Sequence, residues 1–120
     1  MTRDKILAMP AGPDLDALVA AKVMGWARKG PYLVPLELTA RLLEAHQVPD
    51  VPCYSTDITA AWRVVEKMKD DGDVFIEWWR DGEWTVARKP LGFRGEGDVI
   101  SAPTAPLAIC RSALLAVEGR

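Results

Sequence analysis

The chain has 120 residues, 49% of them hydrophobic, and its 15 Lys and Arg residues nearly balance 17 Asp and Glu residues, for a net charge of −2. This length suits one domain over residues 1–120. The near-neutral charge argues against nucleic acid as a partner, because duplex binding goes with a basic excess. No apolar run reaches the roughly 18–20 residues of a membrane span, and the first residues lack the apolar core of a signal peptide. We therefore expect a soluble cytoplasmic domain with no membrane partner.

The sequence offers few residues for catalysis or metal binding. Cys53 and Cys110 are too few for a disulfide scaffold and too far apart for a zinc motif, so we interpret both as small buried apolar residues. His46 lies near the end of a predicted helix, where it suits the helix dipole, although a couple with Cys53 is an alternative. Phosphate-loop, dinucleotide and hydrolase motifs are absent, and the glycines within residues 92–97 favour a surface loop. We expect a non-enzymatic protein without a cofactor.

Helical patterns dominate the first half of the chain. A short helix is predicted over residues 2–9, with Thr2 as its N-cap. A second is predicted over residues 13–26, because proline stands at its first position and apolar residues recur at helical spacing. A third, between several prolines, is predicted from residue 36 or 39 to residue 46. The segment that follows it is expected to be extended.

The strongest helical pattern covers residues 57–69. Its charged residues fall outside one continuous apolar face. That predicted buried face is formed by Ile58, Ala61, Trp62, Val65 and Met68. Ser55 or Thr56 is expected to be the N-cap, because hydroxyl side chains accept hydrogen bonds from the free N–H groups of a first helical turn.

Alternating residues then predict a β-hairpin. Residues 73–79 and 83–88 flank Asp81-Gly82, a dipeptide that favours a tight primed turn. A third strand is predicted over residues 98–102, with a further strand near residues 91–94 as an alternative. The sheet is expected to be antiparallel because its strands follow one another closely along the chain.

A last helix is predicted from Thr104, as its cap, to about residue 117. Two or three helices thus precede the sheet and one follows it. The sequence therefore predicts an α+β fold, with helices on more than one side of a small antiparallel sheet.

Two helix starts are candidate anion sites. Free backbone N–H groups and the helix dipole bind anions at such positions, and Tyr54-Ser55-Thr56-Asp57 precedes the strongest helix. Capping alone also explains these residue types, and the carboxylate of Asp57 could already occupy the positive helix end. Thr104 marks the second candidate, at the start of the last helix.

Two arginines and a tryptophan complete the candidate site. Arg63 and Arg111 are candidate charge partners, because a guanidinium binds phosphate or carboxylate through two hydrogen bonds; a solvated arginine is the alternative for Arg111. Adjacent strand residues point to opposite faces, so Trp78 and Trp79 cannot enter one core together. Unless helices cover both faces, one of them suits a subunit contact or a base-stacking platform.

Three blocks of the sequence resemble the phage ABA-sandwich domain family, whose members are small proteins of bacteriophages and prophages. The blocks are LDALVAAKVMGW at residues 15–26, YSTDITAAWRVVE at residues 54–66 and APLAICRSALLA at residues 105–116. The resemblance implies a three-layer α/β/α sandwich, in which helices lie on both sides of an antiparallel sheet. It supplies no catalytic residue.

The residues and the resemblance lead to one hypothesis and two alternatives. The hypothesis is a non-enzymatic, homo-oligomeric protein that sequesters a nucleotide-like anionic signal of bacterial immunity, with Trp79 or Tyr54 as the stacking surface. The first alternative is a protein-interaction module that inhibits a host factor or assists phage assembly through its tryptophan-bearing hairpin. The second is an enzyme that acts on nucleotides through Asp57 and His46.

Overall fold

A computed structural model of the protein describes residues 2–29, 32–35, 50–79, 81–90 and 98–118. Its helices are α1 (Arg3–Ala8), α2 (Pro13–Lys22), α3 (Ile58–Met68) and α4 (Ala105–Glu118), and a 3-10 turn at Lys69–Asp71 follows α3. Its strands are β1 (Ala27–Lys29), β2 (Tyr32–Val34), β3 (Gly72–Trp78), β4 (Trp84–Pro90) and β5 (Asp98–Ala102). These elements form the predicted α+β fold. The predicted helix that ends at His46 and the alternative strand near residues 91–94 lie outside the described residues.

The strands form two antiparallel sheets. β3, β4 and β5 pair in chain order, with Trp78 opposite Trp84 and Trp84 opposite Ala102, so the predicted hairpin and third strand are confirmed. β1 and β2 form a separate two-stranded ladder that the sequence did not predict. Three residues per strand are too few to show a clear alternation of apolar and polar side chains.

The hairpin connection differs from the predicted tight primed turn. The N–H of Trp79 donates to the carbonyl of Glu83 at 2.9 Å, and the N–H of Gly82 donates to the carbonyl of Trp79 at 3.0 Å. A three-residue loop therefore joins the paired residues, and Gly82 closes it with φ at +89°. Three-residue loops favour this arrangement because glycine adopts a positive φ without strain. The carboxylate of Asp81 fixes the loop by accepting from the N–H of Glu83 at 3.0 Å.

Helix α2 begins at Pro13 as predicted but ends at Lys22, before the predicted residue 26. Gly25 has φ at +77°, the left-handed conformation that glycine commonly adopts just after a helix. The N–H of Trp26 donates to the carbonyl of Ala20 at 2.9 Å, so a carbonyl of the last turn gains a partner from beyond the helix.

Helix α4 lies at the centre of the core. It packs on α1, α2 and α3 and on the inner face of the β3–β5 sheet, which contributes Val86, Ile100 and Ala102. Ten of its side chains are buried, whereas α2 buries four. This central position makes α4 the element against which the other helices are oriented.

The buried face of α3 differs from the predicted one. Ile58 is 51% exposed and Trp62 is 50% exposed, although both were expected in the core. The face that is actually buried consists of Ala60, Ala61, Val64, Val65 and Met68. α3 packs on α4, and the small alanines permit a close approach that leaves the bulkier side chains at the margin.

The two faces of the β3–β5 sheet differ in exposure. Val86 and Ile100 are buried on the inner face, whereas Phe75 and Val99 on the outer face are 48% and 54% exposed. Within the described ranges, the outer face is therefore open at both positions. The three-layer arrangement stays a prediction, because the described helices contribute to the core on the inner face alone.

Candidate functional site

Ser55 ties the segment before α3 to the start of α2. Its backbone N–H and its hydroxyl both donate to Oδ1 of Asp16, at 2.7 and 2.6 Å, and its hydroxyl oxygen accepts from the N–H of Gly12 at 2.9 Å. Asp16 and Ser55 are both buried, and Asp16 lies in the first turn of α2, where the helix dipole favours a carboxylate. We call this pair the Asp16–Ser55 clamp. Its polar atoms hydrogen-bond to each other rather than facing solvent.

Asp57 is the N-cap of α3. Its Oδ1 accepts from the N–H of Thr59 at 3.0 Å, and its carbonyl accepts the first helical hydrogen bond, from Ala61. The prediction that Ser55 or Thr56 caps this helix is therefore wrong. Ser55 is committed to the clamp, and the exposed Thr56 lies in the turn in which its N–H donates to the carbonyl of Cys53.

Tyr54 lies inside the core and is 2% exposed. Burial raises the pKa of its phenol above the ordinary value, the charge of Arg63 opposes that rise, and Cys110 and Asp16 add to it. The phenol therefore stays protonated at neutral pH. A ring in this position has no face open for base stacking.

A hollow of about 240 Å³ opens beside the start of α3, and we call it the Arg63 hollow. Arg63 is exposed and, among the described residues, forms no hydrogen bond or ion pair. The other lining residues include Cys53, Asp57 and Thr59. Cys53 is exposed, so the prediction that it is buried is wrong, and its turn places it at the rim rather than in the core.

Arg111 holds α1 against α4. Its Nη2 donates to the carbonyl of Met9 at 2.9 Å, and its Nε is shielded from solvent without a hydrogen-bond partner among the described residues. Met9 is the C-terminal cap residue of α1. The guanidinium is therefore half-buried and engaged with the backbone, unlike the solvated alternative considered from the sequence.

Thr104 caps α4 as predicted, since its hydroxyl accepts from the N–H of Leu107 at 3.4 Å. It also lines an apolar hollow of about 350 Å³ together with Ile58, Trp84 and Pro106. This hollow belongs to a wider exposed surface. Trp62 lies one helical turn beyond Ile58, and Trp78 stands opposite Trp84 in the strand ladder.

We call Ile58, Trp62, Trp78 and Trp84 the aromatic patch. Trp78 is 63% exposed and Trp84 is half-buried. Trp79, the first residue after β3, is 52% exposed. The sequence predicted the strand faces correctly. The sequence did not predict that the inner face reaches the margin of the core at its Trp78–Trp84 end.

The model of the phage ABA sandwich domain matches residues 17–114, which run from α2 into α4. The chain belongs to the phage ABA sandwich domain family. The resemblance found in the sequence is thereby confirmed. Comparison with curated proteins and with solved structures gave no match.

This family member brings some of the predicted site residues together and separates the others. Tyr54, Asp57 and Arg63 lie around the start of α3, although Tyr54 is buried beneath the surface. Thr104 lies at the separate apolar hollow, and Arg111 is bonded to the end of α1. The predicted residues thus occupy several places rather than one pocket.

Residues 2–29, 32–35, 50–79, 81–90 and 98–118 contain no group of three or more His, Cys, Asp or Glu side chains placed to hold a metal ion. None of the helices in these ranges has the length and apolar character needed to cross a lipid bilayer.

Burial raises the pKa of the Cys110 thiol to about 12, with a further rise from the charge of Asp16, so this thiol stays neutral.

Proposed function

We propose that this phage ABA sandwich protein is a non-enzymatic, homo-oligomeric protein that captures a nucleotide-type anion in the cytoplasm of a bacterial host. The observation that carries the proposal is the Arg63 hollow, where an exposed guanidinium without a described partner stands at a cavity of about 240 Å³. A guanidinium in this state offers two parallel hydrogen bonds to a phosphate. Sequestration of a bacterial immune signal is the role that such capture would serve.

The mixed charge of the hollow favours a nucleotide over a simple anion. Asp57 uses Oδ1 to cap α3, which leaves its second carboxylate oxygen available as an acceptor. Sugar hydroxyls and base amino groups are donors that such an oxygen binds, whereas inorganic phosphate at neutral pH is repelled by it. Thr59 adds a hydroxyl on the same side of the helix. A ligand with one anionic end and several donors fits this set.

The aromatic patch supports the homo-oligomeric part of the proposal. Large apolar side chains that are half exposed and adjacent are typical of protein interfaces, and tryptophan is enriched at their energetic centres. We propose a second copy of the chain as the occupant. The same patch favours a second candidate function, in which the protein binds a host or phage protein through its tryptophan-bearing hairpin.

Native mass spectrometry with linear, cyclic and NAD-derived nucleotides tests capture and oligomeric state together. We expect an oligomer that carries a nucleotide, and release of that nucleotide with unchanged mass on denaturation. Arg63→Gln should weaken binding about tenfold or more, the range for a lost charge-assisted hydrogen bond, whereas Arg3→Gln, at an exposed arginine on α1, should not. Absence of any adduct, or recovery of a cleaved nucleotide, would contradict sequestration.

Sedimentation velocity tests the interface separately. Trp62→Ser and Trp78→Ser should shift the protein to smaller species, while Phe75→Ser, at an exposed aromatic on the outer sheet face, should leave the distribution unchanged. A monomeric wild type would contradict the homo-oligomer. Recovery of one defined protein by the wild type, and its loss with Trp62→Ser, would then support the interaction module.

A further inference from the structure

A group of three cations lies at the opposite end of α3 from the Arg63 hollow. Lys22 at the end of α2, Lys67 near the end of α3 and Arg88 on β4 line a hollow of about 90 Å³. Met68, Ala113 and Val117 supply part of its apolar wall. We call it the basic hollow. The sequence did not mark any of its three cations as a candidate binding residue.

Arg88 brings an unpaired hydrogen-bond donor to the wall of the basic hollow. The residue is half-buried, and its Nε is shielded from solvent without a hydrogen-bond partner among the described residues. A shielded donor with no acceptor is unfavourable, because the water that it loses is not replaced. An oxygen atom placed in the hollow would supply the missing acceptor.

The charges around the hollow leave a positive excess. Lys22 is bonded to Glu118, with Nζ and Oε1 at 2.7 Å, and this hydrogen bond lowers the pKa of Glu118, so the carboxylate stays charged at neutral pH. Lys67 is exposed and forms no ion pair with any described residue. Of the described residues that line the hollow, three are cations and none is a carboxylate.

We propose that the basic hollow binds a small organic anion, in which a phosphate or carboxylate head carries a short aliphatic group. The head contacts Arg88 and Lys67, and the aliphatic group lies against Met68 and Val117. One ordered water needs roughly 10–15 Å³ of such space, so 90 Å³ takes a compact head and a few carbon atoms and excludes a whole nucleotide. This site is independent of the function proposed at the Arg63 hollow.

NMR titration of the ¹⁵N-labelled protein with butyl phosphate tests the proposal, with inorganic phosphate and butanol as separate probes of head and tail. We expect saturable shifts of the Lys67, Arg88, Ala113 and Val117 amides. Butyl phosphate should bind more tightly than inorganic phosphate by about fourfold for each methylene group that becomes buried. Butanol should cause no saturable shift at these amides.

Substitutions locate the site. Lys67→Gln and Arg88→Gln should each weaken butyl phosphate binding by about threefold to tenfold or more, as expected for loss of a charged donor. Lys69→Gln is the matched control, because Lys69 is an exposed lysine two residues from Lys67 and does not line this hollow. Lys67 is itself exposed, so its variant keeps the test valid even where Arg88→Gln impairs folding.

Three results would overturn the proposal. One is the absence of saturable shifts, which would mean that the lysines serve only the C-terminal ends of α2 and α3, where cations are favourable. Another is equal binding of butanol and butyl phosphate. The third is unchanged affinity in Lys67→Gln when the control variant also binds normally.

Discussion

Polar and aromatic side chains occupy unexpected places in two regions of this protein. At the junction of α1, α2 and the segment before α3, Asp16 and Ser55 are buried and bonded to each other. At the turn end of the β3–β4 hairpin, Trp78 and the nearby Trp62 are half exposed or more. The sequence predicted the reverse, with Ser55 available for a ligand and Trp62 in the core.

The contrast shows which chemistry stabilises the fold and which is left for binding. A buried carboxylate is tolerated when strong donors surround it, and its loss then leaves those donors without acceptors. An exposed tryptophan contributes little to the stability of its own chain but retains a large area for contact with another. Substitutions in the two regions should therefore have opposite effects on folding and on association.

The largest expected effect is at the Asp16–Ser55 clamp. Asp16→Ala should lower the free energy of unfolding by about 2–4 kcal/mol, since two charge-assisted hydrogen bonds are lost and their donors stay buried. Ser55→Ala should cost about 1.5–3 kcal/mol. Equilibrium urea unfolding measures both. Asp14→Ala, at an exposed carboxylate in the same helical turn, should change stability by about 0.5 kcal/mol at most. An equal loss of stability in Asp14→Ala would contradict a specific role for the clamp.

A smaller loss is expected at Arg111. Arg111→Met keeps much of the side-chain volume and removes the hydrogen bond to the carbonyl of Met9, for a loss of about 1–2 kcal/mol. Because that carbonyl belongs to the cap of α1, hydrogen exchange of the Ile6 amide should accelerate more than exchange within α3. Arg63→Met, which removes an exposed arginine, should leave both measurements unchanged. Uniform acceleration throughout the chain would contradict a local anchoring role.

At the start of α3, two adjacent residues should differ in their effect on stability. Asp57→Ala should lower stability by about 1 kcal/mol, the typical value for a lost N-cap, while Thr56→Ala should change it by less than about 0.5 kcal/mol. Thermal unfolding followed by circular dichroism distinguishes the two. The opposite order would restore the cap that the sequence predicted.

The smallest effect on stability is expected in the aromatic patch. Trp78→Ser should alter the free energy of unfolding by about 0.5 kcal/mol or less, measured at a protein concentration low enough to keep the chain monomeric. Val86→Ala, on the neighbouring strand but fully buried, should cost about 1–3 kcal/mol in the same assay. A large loss for Trp78→Ser would assign that tryptophan to the core.

Local signals account for the parts of the fold that could be predicted. Thr2 and Thr104 cap the helices that they precede, and Pro13 begins α2, because a cap or a proline acts within one helical turn. Alternation along β3 and β4 predicted their pairing for the same reason. Each of these features depends on residues that are close along the chain.

Long-range contacts explain most of what could not be predicted at the candidate site. The partner of Ser55 lies 39 residues away, and the partner of Arg111 lies 102 residues away. Nothing near either residue in the sequence identifies these partners. The exposure of Trp62 depends likewise on how closely α3 approaches α4, which apolar spacing along one helix does not fix.

The unequal burial of the two cysteines makes the protein suited to site-selective labelling without any mutation. Cys53 is exposed at the rim of the Arg63 hollow, whereas Cys110 is fully buried and its pKa is raised to about 12. Maleimide reagents react with accessible thiolates, so a fluorophore should attach at Cys53 while the folded protein shields Cys110. The emission of a dye at that rim would report ligand binding in the Arg63 hollow. The slower labelling of Cys110 would report the rate at which the core unfolds.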